Sequence, residues 1–416
     1  CAGPYIWLGP DFKKRVEYNQ PPEQPYDAAK SYSDYFLSYT HDFNGDGWMD
    51  ILVYSWPGKD ASWFENPQGK PGHWTKHVLL DIADNESPAL GDMNGDGKPE
   101  LICQTSDDPQ KNVGGRGDYE ESDWSNPTAK ARHRGVTPIT EENSQKYFRY
   151  THRSGFGDVN GDGRPDLLVK DAWFEQPADT SSDTLWKEHK VAFVPEGARG
   201  GGHMLVYDVN GDGRNDVITS HDGHGFGLSW LEQNADGSFK RHTLTGSTPE
   251  ESPHGVKFSQ IHALALADID GDGLMDFVTG KRRWAHGPLK DDEPNAAPVL
   301  YWFQLKRDGK GGAEFVPHLV DDSSGVGTQV SPRQVNGDGK MDALAFTQDG
   351  GLNWFEAQDD LSKPWKRHAI APPDYADGKV HACGAPEAAA DLDGDGDIDV
   401  AAVAGWFEIA DATGTT

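Results

Sequence analysis

Residues 268–276 read DIDGDGLMD, and the apolar residues Phe277 and Val278 follow at once. Carboxylates at positions 1, 3, 5 and 9 of such a stretch can converge on one cation, with a backbone carbonyl offered at position 7. A hard, oxygen-only set of this size suits calcium. The two glycines permit the tight turn that brings the carboxylates together. Asp268, Asp270, Asp272 and Asp276 are the expected ligands here.

The stretch recurs six times, as DFNGDGWMD from Asp42, DMNGDGKPE from Asp92, DVNGDGRPD from Asp158, DVNGDGRND from Asp208, QVNGDGKMD from Gln334 and DLDGDGDID from Asp391. The expected calcium ligands are Asp42, Asn44, Asp46 and Asp50; Asp92, Asn94, Asp96 and Glu100; Asp158, Asn160, Asp162 and Asp166; and Asp208, Asn210, Asp212 and Asp216. They continue with Asn336, Asp338 and Asp342, and with Asp391, Asp393, Asp395 and Asp399. Gln334 begins its loop without a charge, which makes that site the weakest of the set.

Successive loops start 50, 66, 50, 60, 66 and 57 residues apart, roughly the period of a four-stranded propeller blade. A short run of small residues precedes each loop as strand a, and an apolar β-rich run follows as strand b. A W-F-E-like strand c then contains Trp63, Trp173, Trp230, Trp302, Trp354 or Trp406. Strand d closes the unit with a basic-His pair, as in WTKHVLL, WKEHKVA, FKRHTL, FVPHLV and WKRHAI. The expectation is an all-β, seven-bladed propeller forming a single domain over residues 1–416. Its last blade lacks a d strand at the C-terminus, and the N-terminal DFKKRVEY resembles one, so Phe12 to Tyr18 is expected to close the ring. Residues 107–145 read as a long polar insertion in place of a clean W-F-E strand in blade two.

The acidic loops followed by apolar strands resemble the FG-GAP or VCBS repeat. That resemblance implies a propeller fold and says little about activity, because one fold hosts many functions. A narrower resemblance lies in GGHMLVYDVNGDGRNDVITSHDGHGFGLSW, SQIHALALADIDGDGLMDFVTGKRRWAHGP and HLVDDSSGVGTQV. These stretches of blades four to six are similar to the propeller of the aldos-2-ulose (1,5-anhydrofructose) dehydratases, which implies a lyase site. The further β-domains of those enzymes have no counterpart in this sequence.

A formal net charge of -30 argues against nucleic acid as a partner. No stretch approaches a transmembrane span. Cys1, Cys103 and Cys383 allow at most one disulfide, and open repeat loops suit millimolar calcium outside the cytoplasm. An extracellular or periplasmic monomer is expected, with membrane attachment only through a lipid on Cys1.

Strand direction alternates within a blade, so chemistry on the face away from the acidic loops must sit just before strand a or just after strand b. His77, His189, His242, His318 and His368 repeat on strand d and read as packing. His152, His203 and His262 precede strand a of neighbouring blades and could hold a zinc-like ion with an open position. His221 and His224 follow strand b of blade four, and Lys281, Arg282 and His286 follow strand b of blade five. In a β-elimination, His221 or His224 would serve as base, while Lys281, Arg282 and His286 would bind the oxyanion or leaving group. Three readings remain open: a metal-assisted dehydratase of a keto-sugar, a metal-free lyase of uronate-containing polysaccharide, and a non-catalytic propeller that binds carbohydrate or protein. No nucleophilic triad, phosphate-cradling loop or dinucleotide fingerprint can be assembled from these residues.

Overall fold

The acidic loops each end where a buried strand begins, and that junction organises the molecule. The computed structural model describes residues 4–21, 34–105, 116–138, 140–147, 149, 154–180, 184–282, 291–346, 351–371 and 388–402. The described chain is almost entirely β, with one short helix, Glu141–Lys146, and one 3-10 turn, Pro249–Glu251. Its strands fall into antiparallel groups of four in the order a, b, c, d. Group 4, for example, consists of His203–Tyr207, Asp216–Ser220, Leu228–Gln233 and Phe239–Thr245. Group 5 consists of Leu264–Ala267, Asp276–Gly280, Leu300–Arg307 and Ala313–Asp321. The acidic loop is the a-to-b connection in both.

Neighbouring groups are joined in two ways. A single 17-residue strand, Thr75–Gly91, is strand d of group 1 and then strand a of group 2. Between groups 3 and 4, the a strands themselves pair in parallel, Ser154 opposite His203 and Gly155 opposite Met204. A side chain at Gly155 would collide with the Met204 carbonyl, so only glycine allows this approach.

The chain ends meet, though not quite as expected. Ala389–Ala390 and Asp399–Ala402 pair with Tyr5–Leu8, which in turn pairs with Lys14–Glu17. The N-terminus thus supplies both strand c and strand d of the closing group. The edge of Asp399–Ala402 where Trp406 would have served as strand c is taken by Tyr5–Leu8, and residues 403–416 lie outside the described residues. Closure is sealed by a bond that recurs around the molecule. A residue at the end of strand c or just after it reaches back to the preceding group's loop: Gln233 Nε2 to Val159 O at 2.9 Å, Arg307 Nε to Val209 O at 2.9 Å, and Asn66 Nδ2 to Leu392 O at 2.9 Å. The last of these ties group 1 to the closing group.

Group 2 also corrects the sequence reading. Within the expected insertion, Arg116–Glu121 and Arg132–Gly135 are strands c and d. Tyr119, 2% exposed, takes the place of the usual tryptophan.

The strand-d histidines do pack. Each ring lies on the strand-c indole, with centroid separations of 4.4 Å for His77 on Trp63, 3.9 Å for His189 on Trp173, 4.1 Å for His242 on Trp230, 4.5 Å for His318 on Trp302 and 4.1 Å for His368 on Trp354. In four of them Nε2 also meets the glutamate of the W-F-E-like run, as His242 meets Glu232 at 2.8 Å. His242→Ala is expected to cost about 1–2 kcal/mol, from one aromatic stack and one hydrogen bond at a partly exposed position. Urea unfolding at neutral pH measures it, and an unchanged midpoint would remove the stack from the account.

Candidate functional site

The acidic loops share one set of hydrogen bonds. In the first, Asp42 Oδ1 accepts from the Asp46 amide at 3.0 Å and Oδ2 from Gly47 at 2.8 Å, while Asp46 Oδ1 accepts from Trp48 at 2.9 Å. The bond from the position-6 glycine to the position-1 aspartate recurs at Asp92, Asp158, Asp208, Asp268 and Asp391. Gln334 breaks the pattern, its amide nitrogen pointing instead to Gly339 O at 3.5 Å. In the two loops with aspartate at position 3, one oxygen each from Asp268, Asp270 and Asp276, and from Asp391, Asp393 and Asp399, lies within 4.8 Å of the others. That spacing and the all-oxygen donor set fit a calcium ion.

Position 9 does more than the sequence implied. Asp50, Glu100, Asp166, Asp216, Asp276, Asp342 and Asp399 are at most 1% exposed. Asp276 Oδ2 accepts from Ile269 N at 3.0 Å and Oδ1 from Leu305 N at 2.8 Å, which pins the loop and the end of strand c to strand b. The closing group does the same across the chain ends, Asp399 accepting from Leu392 N at 2.9 Å and Gly9 N at 2.8 Å. In the absence of a cation, burial pushes the position-9 carboxyls up, to about 7 for Asp50, Glu100, Asp216 and Asp276.

On the opposite face, the turns after strand b and the segment before strand a meet between groups 4 and 5, as strand alternation requires. Gln260 N donates to Gly225 O at 2.8 Å, Arg282 N to Gln260 O at 3.0 Å, and Ser220 Oγ to Ile261 O at 2.7 Å. These bonds gather His224, 7% exposed, with His262, Lys281 and Arg282, each 1% exposed. The His224 and His262 rings meet edge to face at 5.2 Å, and Arg282 Nη1 lies 3.0 Å from His262 Nε2. The guanidinium donates, so His262 Nε2 accepts and the ring is neutral. Lys281 Nζ reaches Ser259 Oγ at 3.2 Å, and burial brings its ammonium down to about 8 against the pull of Glu293, Asp291 and Asp292.

Other expected site residues are placed differently. His203 sits in neighbouring strand a, but its Nδ1 faces the Leu264 backbone, 3.1 Å from O and 3.3 Å from N, and burial lowers its pKa. His262 Nε2, facing a guanidinium, is badly placed to hold a metal cation as well. His221 Nε2 bonds Ser229 Oγ at 2.7 Å, and burial brings the ring down to about 4, leaving it a weak base. His152 and His286 lie outside the described residues. Gln260 was not singled out by the sequence reading. It is fully buried at φ 63°, in the left-handed region, and its Oε1 has no hydrogen-bond partner. A backbone held there by its surroundings is a common feature of functional sites, and no composition signal marks it.

The model of the FG-GAP-like repeat matches residues 42–103 and 208–279, which carry the acidic loops and following strands of groups 1, 2, 4 and 5. The chain carries FG-GAP-like repeats on a β-propeller-like fold. No curated protein matches the sequence. Among solved structures, the propeller is similar to BBS1N in complex with ARL6DN, soaked with lead, at 12% identity, with 78% of this chain and 92% of that chain covered and a TM-score of 0.36. It is also similar to AofleA from Arthrobotrys oligospora at 11% identity, with 90% and 93% covered and a TM-score of 0.41. The site between groups 4 and 5 is therefore read from its own residues.

Proposed function

We propose that this chain is a seven-bladed, calcium-loaded propeller working outside the cytoplasm as a carbon–oxygen lyase, eliminating across a sugar at the face between groups 4 and 5. The observation that carries the reading is the burial of Lys281 and Arg282, each 1% exposed, beside two histidines in a chain of net charge -30. Two buried cations concentrate positive potential at this face, which favours an anionic ligand or a developing oxyanion.

In this mechanism His224 removes the proton next to the sugar's carbonyl or carboxylate, and the electron pair moves into an enolate. Lys281 and Arg282 supply the positive potential that stabilises it. The enolate then expels the β-oxygen as its C–O bond breaks, and the departing oxygen takes up a proton. Arg282 also holds His262 as a neutral ring against His224. This assigns to cationic side chains the role first considered for a metal at His152, His203 and His262. Uronate polysaccharides and keto-sugars both meet its requirements.

His224→Ala is expected to lower turnover by about 100-fold or more with little change in unfolding midpoint, the usual contribution of a positioned base. Turnover is also expected to fall as pH rises through about 8, because Lys281 loses its proton there. The sign for stability is opposite: a lowered lysine pKa makes the charged form the strained one, so this group penalises the fold less as pH rises through the same window. Full activity in His224→Ala, or a rate that climbs steadily past that pH, would sink the assignment.

A further inference from the structure

Glu120 occupies a position that is apolar in five other groups. Its cross-strand register, opposite the residue that follows the position-9 acid, matches that of Phe64, Phe174, Leu231, Phe303 and Phe355. In group 2 that place holds a glutamate with a fully buried side chain. Asp118, two residues earlier on the same face of the strand, is also fully buried in its side chain. Opposite Glu120 stands His133, where the other groups carry Lys76, Glu188, Arg241, Pro317 or Arg367. The replacements occur together, at the packed interface of groups 1 and 2.

We propose that Asp118, Glu120 and His133 form a binding site for one divalent transition ion, zinc or manganese, distinct from the calcium loops. One ligand atom from each lies within 4.8 Å of the others. His133 Nδ1 is 2.6 Å from Glu120 Oε1 and 3.8 Å from Asp118 Oδ2. Ligands held 2.0–2.2 Å from a tetrahedral ion lie roughly 3.3–3.6 Å apart, a spacing that these two distances bracket. Two carboxylates and an imidazole nitrogen suit zinc or manganese better than calcium, which prefers oxygen alone. Thr105 Oγ1 donates to Asp118 Oδ2 at 3.2 Å and orients that ligand.

A second observation points the same way. Asp84, 0% exposed, gives one oxygen to Arg149 Nε at 2.8 Å, while its Oδ2 is buried without a hydrogen-bond partner. Asp84, Asp118 and Glu120 all act on the buried thiol of Cys103 and raise its pKa. The side chain of His133 is 46% exposed and leaves a route from solvent for the ion.

The test uses the full chain, stripped with a chelator and returned to millimolar calcium so that the acidic loops stay filled. Zinc alone, and then manganese alone, is titrated calorimetrically, with elemental analysis after dialysis. One ion per chain is expected. His133→Ala is expected to weaken its binding by at least roughly 100-fold, the upper range for outer-shell partners and a floor for a direct ligand. Glu120→Phe restores the residue type of the other groups, so it should fold at least as well while taking up no ion. Absence of uptake by the wild type, or equal uptake by Glu120→Phe, overturns the proposal.

Discussion

Removing calcium is expected to lower the propeller's thermal unfolding midpoint by more than any single substitution does. At a free concentration 100-fold above its dissociation constant, one bound ion adds about 2.7 kcal/mol, and several loops carry complete ligand sets. The effect should depend on pH. Position-9 carboxyls with pKa values raised to about 7 keep protons in the calcium-free fold that the unfolded chain has already released. The calcium-free protein therefore loses stability as pH rises through that window. Calcium must displace those protons, so its stabilisation should grow from about pH 5 to about pH 8. Scans in chelator and in millimolar calcium, with magnesium as control, measure both trends. Coincident midpoints would mean that the loops are held by their own hydrogen bonds alone.

Asp276→Asn is expected to destabilise the protein by about 3 kcal/mol even with calcium absent. Both oxygens of this buried carboxylate accept backbone N–H groups, from Ile269 and Leu305. An amide offers only one acceptor, so its NH2 faces a donor and leaves a buried N–H unsatisfied. Asp268→Asn, at the same loop's exposed start, is the matched control: it removes ligand charge but leaves this pin intact. In chelator only Asp276→Asn should remain destabilised, whereas in calcium both should be. Equal behaviour in chelator would assign position 9 to the ion alone.

The acidic loops were legible because their chemistry demands fixed residue types at fixed spacing. The strand-d histidines were legible because they repeat. The strands of group 2 were hidden by Asp118 and Glu120, whose inward-facing charge reads as loop although both are buried. At the chain ends, the W-F-E of residues 406–408 imitates strand c, but Tyr5–Leu8 holds that edge, and the bond from Gly9 to Asp399 shows the N-terminal segment in the same role as its counterparts. Strand alternation correctly foretold which turns meet between groups 4 and 5. It could not tell that the His203 ring is spent on the Leu264 backbone, because side-chain direction at the mouth of a sheet depends on neighbours distant in sequence.

The two proposed sites make independent claims: an ion between groups 1 and 2 can be present or absent without bearing on elimination between groups 4 and 5. The central claim concerns the latter, and its most direct measurement is the ultraviolet absorbance of a new conjugated double bond. The calcium-loaded chain would be incubated with uronate polysaccharides and keto-sugars, beside an Arg282→Met variant of matched unfolding midpoint. Absorbance that accumulates with the wild type on one of these substrates and is lost in the variant is the predicted result. Saturable binding of a sugar with no double bond formed would contradict it and make the same face a site of recognition rather than chemistry.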